Sequence, residues 1–98
     1  MDIVMVEFKV GDDLVEECAD AVQKLTSSLV AKQPHFRGAN VTVDRNSGTV
    51  VNLMCWDSAQ HFIRFRDANQ DIIGPRIGHF GPTPRILEVS AQIEPNHE

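Results

Sequence analysis

Hydrophobic side chains recur at two different spacings along the chain, and these spacings divide it into six segments. Four segments carry apolar residues at alternate positions or in β-prone runs, which predicts strands over residues 3–10, 38–44, 49–56 and 85–93. Two segments, 14–32 and 58–69, repeat apolar residues every three or four positions, which predicts helices. The order is β-α-β-β-α-β, so the sequence predicts a ferredoxin-like α+β fold.

Capping and turn signals support these boundaries. Asp13 with Glu16, and Asp57 with Gln60, each have the spacing of a capping box, which predicts the starts of the two helices. Residues 45–48, Arg-Asn-Ser-Gly, predict a tight hairpin turn between the second and third strands.

Residues 70–84 contain three glycines and three prolines, which predicts a structured loop with one short helical turn at 70–77. Long loops in compact domains are usually functional or mobile. This loop is therefore a candidate border of a binding site.

The chain has 98 residues, of which 42% are hydrophobic, and this predicts one domain over residues 1–98. A single sheet with helices on one side leaves its partly apolar reverse face uncovered. We therefore expect two copies to pair through that face as a homodimer. The formal net charge of −5, from nine basic and fourteen acidic residues, argues against binding to nucleic acid.

The sequence contains no apolar run long enough for a membrane span, and charges at Asp2 and Glu7 interrupt the apolar start expected of a signal peptide. Cys18 and Cys55 have neither the spacing of a disulfide framework nor that of a metal site, so both are expected to be small buried side chains. We expect a cytoplasmic protein without a membrane role.

Asn52 and Trp56 are the most informative residues of the predicted third strand, which is otherwise almost wholly apolar. Residues four apart on a strand point to the same face, roughly 13 Å from each other, so the amide and the indole are expected to face one space from two sides. Two interpretations stay open. Either both side chains bind a ligand, or the Asn bonds neighbouring backbone while the Trp fills the core.

Three segments make the chain resemble the antibiotic biosynthesis monooxygenase family of dimeric α+β barrels. They are the opening strand over residues 3–10, the stretch His35-Phe-Arg-Gly38, and the stretch Asn52-Leu-Met-Cys-Trp-Asp-Ser58. Phe-Arg-Gly resembles the family's Gly-Phe-x-Gly segment, and Trp-Asp-Ser resembles its Trp-x-Ser start of the second helix. The likeness spans essentially the whole chain and bears more directly on the fold than on the activity, because this scaffold serves many roles.

The resemblance implies a cofactor-independent monooxygenase that oxidises an electron-rich aromatic, such as a polyketide phenol, an anthrone or a quinol, to a quinone with dioxygen. Such relatives place an Asn and a Trp at this spacing and an Arg twenty residues farther on, which here are Asn52, Trp56 and Arg76. The resemblance assigns these three to the catalytic wall of a pocket between sheet and helices. Where that type carries a Tyr on the second helix, this chain has Phe62, so a proton relay through that hydroxyl cannot operate.

The chemistry of dioxygen is consistent with a reaction that uses no cofactor. Triplet dioxygen reacts slowly with closed-shell molecules until one electron moves, and an ionised phenol or enol can supply that electron itself. The protein then has to bind the aromatic plane, exclude water and stabilise the oxyanion. The Asn52 NH₂ group and the Trp56 Nε1–H are donors able to hold such an oxygen, and Arg76 adds a fixed charge.

Four further residues are candidates for substrate binding. His61, in the first turn of the second helix, is a candidate base beside Phe62. His79 and Phe80, in the Gly/Pro-rich segment, are candidates for the mouth of the pocket. His35 is expected to cap the end of the first helix. The histidines have no metal-binding spacing, so no metal is expected.

Two alternatives use the same scaffold. One is a non-catalytic dimeric barrel that binds a small aromatic molecule, which the loss of the Tyr hydroxyl at Phe62 favours. The other is haem degradation, whose enzymes also have a Trp on the third strand. They need an Asn in the first strand, which residues 3–10 lack, and a haem-ligating His on the second helix, where His61 is the candidate.

Overall fold

The computed structural model describes residues 1–97 and has the predicted α+β architecture, with a third helix added. The elements in chain order are β1 (Asp2–Lys9), α1 (Val15–Ser28), β2 (Phe36–Asp44), β3 (Thr49–Trp56), α2 (Ala59–Ala68), α3 (Gln70–Ile77) and β4 (Thr83–Glu88). Two 3₁₀ turns, Val30–Lys32 and Gly78–Phe80, follow α1 and α3. The helical turn expected at 70–77 is thus a full helix, α3, whereas the loop expected over the rest of 70–84 was wrong, because a 3₁₀ turn and the start of β4 occupy most of it.

The four strands form one antiparallel sheet in the order β2-β3-β1-β4. Burial alternates along β1 and β3, so that one face of each strand lies in the core. The buried residues of this face are Val4, Val6, Phe8, Val50, Asn52, Met54 and Trp56. Helix α1 covers the face with Val15, Cys18, Val22 and Leu25, and α2 adds Phe62 and Phe65. Most of the predicted apolar stripes thus form the core, whereas Leu14, which precedes α1, is exposed.

The reverse face of the sheet is partly apolar. Ile3, Met5, Leu53 and Cys55 alternate with the core residues of the two central strands and are half-buried. Cys55 therefore differs from the expectation of a fully buried thiol, whereas Cys18 is fully buried, and burial raises the pKa of its thiol to about 11. None of the helices within residues 1–97 is long and apolar enough to cross a membrane.

Both predicted capping boxes were wrong, because no side chain at the N-cap of either helix bonds its first turn. Helix α1 begins at Val15, and Glu16 forms an ion pair with Arg45 of the hairpin turn. At the start of α2 the Ala59 N–H donates to the Asp2 carboxylate of β1 at 2.7 Å. The first turn of α2 is thus held by the first strand.

Strand β4 ends at Glu88, before the end of the predicted span of 85–93. In the antiparallel pair, Glu88 lies opposite Asp2, the first residue of β1. Beyond this point β1 offers no further backbone partner, so the ladder stops there even though the sequence continues to alternate. The side chains of Ile86 and Leu87 are 45% and 41% exposed.

Gly48 closes the β2–β3 hairpin against the end of β1. Its φ angle is +65°, and its carbonyl oxygen accepts hydrogen bonds from Val10 N at 3.0 Å and Gly11 N at 2.9 Å. A Cβ atom at this position would lie 2.3 Å from the carbonyl carbon of Gly11. Both the positive φ and the close backbone approach therefore require glycine.

We expect Gly48→Ala to lower the free energy of unfolding by about 2–5 kcal/mol, because a positive-φ penalty adds to a backbone overlap. Gly11→Ala is the matched control. Gly11 also has a positive φ, of +86°, but the space around its Cβ position is open. This variant should lose only about 1–2 kcal/mol. Urea denaturation of the two variants measures the difference, and equal losses would contradict the close approach.

Asp57 joins the start of β2 to the turn before α2. Its carboxylate accepts hydrogen bonds from Arg37 Nε at 2.6 Å, from Arg37 Nη2 at 3.0 Å and from His35 Nδ1 at 3.1 Å. The hydrogen bond from Arg37, and then that from His35, lower the pKa of Asp57 from 3.8 to about 2. The ionised form is therefore the one that stabilises the fold.

Because the folded pKa of Asp57 is the lower one, its contribution to stability is complete above the unfolded pKa of 3.8 and disappears as the pH falls through about 2. We expect Asp57→Asn to melt at a lower temperature than the wild type near neutral pH, with the two curves converging as the pH approaches 2. Asp20→Asn, at an exposed pair with Lys24, controls for the loss of one surface charge. A difference in melting temperature that does not change with pH would contradict the assignment.

Candidate functional site

A cavity of about 410 Å³ lies between the sheet and the three helices. This volume is within the roughly 300–1,000 Å³ typical of small-molecule sites. Its wall is formed mainly by apolar side chains of β1, β3 and all three helices, with Phe62 and Phe65 as its aromatic rings. The polar side chains of the wall are Thr26, Asn52, Arg66, Asp67 and Gln70. The site suits a flat, mostly apolar ligand with few polar groups.

Asn52 is the polar side chain that the sheet contributes to this wall. It lies on β3 between Val6 of β1 and Val41 of β2, and only 5% of it is exposed. Its Nδ2 donates to Thr26 Oγ1 at 3.1 Å, so its partner is a side chain of α1 and not neighbouring backbone. Its Oδ1 is buried and has no hydrogen-bond partner among residues 1–97. Such a buried acceptor costs about 1–3 kcal/mol.

Trp56 lies on the same buried face as Asn52 but outside the cavity wall. The indole is 1% exposed and packs edge-on to Phe36 and Phe62, with ring centroids 5.5 and 5.9 Å apart, and against Phe65 at 5.7 Å. Its Nε1–H is buried without a hydrogen-bond partner in the described part of the chain. Trp56 therefore supports the two wall phenylalanines from behind.

Arg76 is exposed on α3 and also lies outside the wall. The guanidinium beside the cavity belongs instead to Arg66 of α2. It lies 5.7 Å from the centroid of the Phe62 ring, and its Nε contacts Asp67 Oδ1 at 3.2 Å. The expected wall of Asn52, Trp56 and Arg76 thus needs correction, because only Asn52 of the three lines the cavity. The catalytic roles of the three residues stay predictions.

Of the other predicted binding residues, only one lies in the cavity wall. Phe62 is in the wall, whereas Phe80 is buried outside it. His79 is exposed, and its ring is tilted against that of Phe80, with centroids 4.1 Å apart. His61 stacks on His35 with centroids 3.6 Å apart, away from the wall. Because His35 bonds Asp57, it does not cap α1 as expected. Gln33 Nε2 donates to the carbonyl of Leu29 there at 3.2 Å.

Sequence reasoning did not find Thr26, Asp67 and Gln70 and did not assign Arg66 to the cavity, although two of these residues leave a signal. Thr26 interrupts the apolar stripe of the first helix one position after Leu25. Arg66 follows Phe62 by four residues, which places both on one face of α2. Within residues 1–97, no group of three or more His, Cys, Asp or Glu side chains could hold a metal ion.

Comparison with protein families and solved structures gives consistent results. The family model described as antibiotic biosynthesis monooxygenase matches residues 1–70. No curated protein matches the chain. A monooxygenase from the gene ActVA-Orf6 of Streptomyces coelicolor, solved with the ligand nanaomycin D, has a TM-score of 0.80 and 16% identity, covering 97% of this chain and 92% of its own.

Two other similar structures bear different descriptions. Rv0793 from Mycobacterium tuberculosis has a TM-score of 0.75 and 10% identity, with 95% of this chain and 98% of that chain covered. A mutant of MhuD with two manganese protoporphyrin IX molecules bound per active site has a TM-score of 0.71 and 16% identity, covering 97% and 100%. At these identities the likenesses show the fold alone.

The unsatisfied amide of Asn52 leads to a prediction about stability. Asn52→Leu replaces the amide by an apolar side chain of similar size, so we expect the free energy of unfolding to rise by about 1 kcal/mol. The same substitution at Asn40, which is exposed on β2, should change it by less than about 0.5 kcal/mol. Urea denaturation provides the comparison. Destabilisation by Asn52→Leu alone would show that the amide is needed for folding.

Proposed function

Because the chain belongs to the antibiotic biosynthesis monooxygenase family, we propose that it is a cofactor-independent monooxygenase that oxidises an electron-rich hydroxyarene to a quinone with dioxygen. The proposed substrates are polyketide phenols, anthrones or quinols. The observation that carries the proposal is the apolar cavity of about 410 Å³ with the buried Asn52 amide in its wall. A planar aromatic molecule with a phenolic oxygen matches both the apolar walls and the buried amide of Asn52.

The proposed reaction balances without a further co-reactant. In an anthrone, the ionised substrate gives one electron to dioxygen, and the resulting radical pair combines at the ring carbon as a peroxide. Cleavage of the O–O bond leaves one oxygen atom as the new carbonyl, while the other departs as water with the two hydrogens of the CH₂ group. The substrate loses the electrons that dioxygen gains, so the protein itself has to supply only binding, orientation and electrostatic support.

The residues of the cavity have distinct roles in this proposal. Phe62 and Phe65 pack on the rings of the substrate and exclude water, and Trp56 holds both in place. Asn52 hydrogen-bonds a substrate oxygen. In an apolar wall a fixed positive charge stabilises a phenolate more strongly than in water, and Arg66 is the guanidinium at this wall. The resemblance assigns that charge to Arg76, so the two arginines are competing proposals.

A homodimer is part of the same proposal. The apolar reverse face of the sheet includes Ile3, Met5 and Leu53 in the two central strands and the exposed Leu87 in β4. Pairing two such faces removes this area from water and closes two sheets into a barrel. The proposed setting is the cytoplasm, since two free thiols suit a reducing compartment.

A second candidate function is the binding of a small aromatic molecule without catalysis. Phe62 lines the cavity at the position where the resemblance expects a Tyr, so the hydroxyl of a proton relay is missing from the wall itself. In that case the same cavity would hold the ligand but would not accelerate its oxidation.

The test is dioxygen uptake with a hydroxyanthrone and with a dihydroxynaphthalene, after the protein has been sized by sedimentation. We expect faster uptake with the protein than with a heat-denatured sample, quinone as the product, and no change after treatment with a chelator. If a correctly folded dimer gives no rate gain across such phenols, the non-catalytic role replaces the proposal.

Variants assign the residues in the same assay. Asn52→Ala should lower kcat/KM by about tenfold or more, as for the loss of one hydrogen bond to the substrate hydroxyl, and Trp56→Phe should lower it less, with the fold retained in both. Arg66→Ala should lower kcat/KM by about tenfold, while Arg64→Ala, exposed on the same helix, is the control. A loss with Arg76→Ala but not with Arg66→Ala would reverse the choice between the two arginines.

A further inference from the structure

Thr26 is a hydroxyl residue on the buried face of α1. Its side chain is 9% exposed and belongs to the wall of the cavity. The hydroxyl makes two hydrogen bonds: Oγ1 donates to the carbonyl oxygen of Val22, one turn earlier, at 2.7 Å, and lies 3.1 Å from Asn52 Nδ2. Thr26 thus links the backbone of α1 to the one polar side chain that the sheet places at the cavity.

The direction of these bonds follows from the single hydrogen of the hydroxyl. Because Thr26 gives that hydrogen to Val22, only lone pairs are left toward Asn52. A lone pair attracts the NH₂ end of the amide and repels the carbonyl end. The Asn52 amide therefore has one favoured orientation, with the NH₂ group toward α1 and Oδ1 on the other side.

In this orientation the amide has an acceptor to offer. Asn52 Oδ1 is buried, and residues 1–97 supply it with no donor. Because Asn52 belongs to the cavity wall, a molecule in the cavity is the available source of a donor. A hydroxyl group of the ligand would donate a hydrogen bond to Oδ1, whereas an ether or carbonyl oxygen at the same place has no hydrogen to donate and would be repelled.

From this geometry we propose that Thr26 is a positioning residue that makes the cavity select hydroxyarenes in their neutral, O–H-bearing form. The proposal rests on the proposed function, because it specifies the form in which that substrate binds. Thr26 acts through Asn52 and requires no contact with the reacting atoms.

The experiment measures binding without turnover. Under argon, isothermal titration calorimetry compares 1-naphthol with 1-methoxynaphthalene, whose oxygen has no hydrogen to donate. We expect the wild type to bind the naphthol at least about tenfold more tightly, since a site built around a substrate hydroxyl rejects the analogue without it. Thr26→Val, which removes the hydroxyl but keeps the shape, should reduce this ratio to about threefold or less.

Two further variants separate positioning from structure. Thr26→Ser keeps the hydroxyl and should restore the ratio of the wild type. Ser27→Ala removes a hydroxyl that bonds the carbonyl of Gln23 on the exposed side of the same helix, at 2.9 Å, and should leave the ratio unchanged. The side-chain NH₂ resonances of Asn52 give a second readout. They should move in Thr26→Val and return in Thr26→Ser.

A wild type that binds the ether as tightly as the naphthol overturns the proposal, and this result needs no variant to fold. An undiminished ratio in Thr26→Val overturns it as well. Selective binding without any dioxygen uptake would refute the oxygenase function and leave the role of Thr26 intact. Dioxygen uptake without selective binding would support the oxygenase function and refute the role of Thr26.

Discussion

Strand β3 is hydrogen-bonded on both edges, to β2 on one side and to β1 on the other, and this double pairing determines where every other part of the site lies. A shift of one residue in its register would move Asn52 and Trp56 from the core to the reverse face. Gly48 blocks such a shift at the hairpin, because its carbonyl is bonded to the end of β1. The position of the amide is thus set by backbone pairing, while its rotation is set by a side chain of α1.

The core contains polar atoms that folding alone does not explain. Asn52 Oδ1 and Trp56 Nε1 are buried without hydrogen-bond partners in the part of the chain that the structure describes. Each lowers stability by about 1–3 kcal/mol relative to a satisfied group, which is a large share of the stability of a small domain. Asn52 borders a cavity, so a ligand can compensate for its cost. Trp56 is enclosed by aromatic rings, so its contribution to stability comes from packing.

The strands and the helical stripes could be predicted because alternation and the 3.6-residue period are local properties of the sequence. The errors concern interactions between distant residues. Asp57 has the spacing of a helix cap, yet Arg37, twenty positions earlier, binds its carboxylate. The end of β4 depends on where β1 begins, and no pattern within 85–93 contains that information.

The same limit applies to the site. Asn52 was recognisable because an amide interrupts an apolar strand. The choice between Arg66 and Arg76 depends on how α2 and α3 pack over the sheet, and spacing along the chain does not determine that packing. Thr26 was visible only as a small irregularity in an amphipathic helix. Its role could be inferred only from the positions of both of its hydrogen-bond partners.

The fixed amide of Asn52 has a consequence for the end of a catalytic cycle. Conversion of a phenol to a quinone removes the hydrogen that Oδ1 would accept and leaves a carbonyl oxygen facing another carbonyl oxygen. In the proposed reaction, the Asn52 carbonyl would therefore repel the quinone product. An enzyme arranged in this way binds its product more weakly than its substrate, so the quinone dissociates readily and inhibits little as it accumulates.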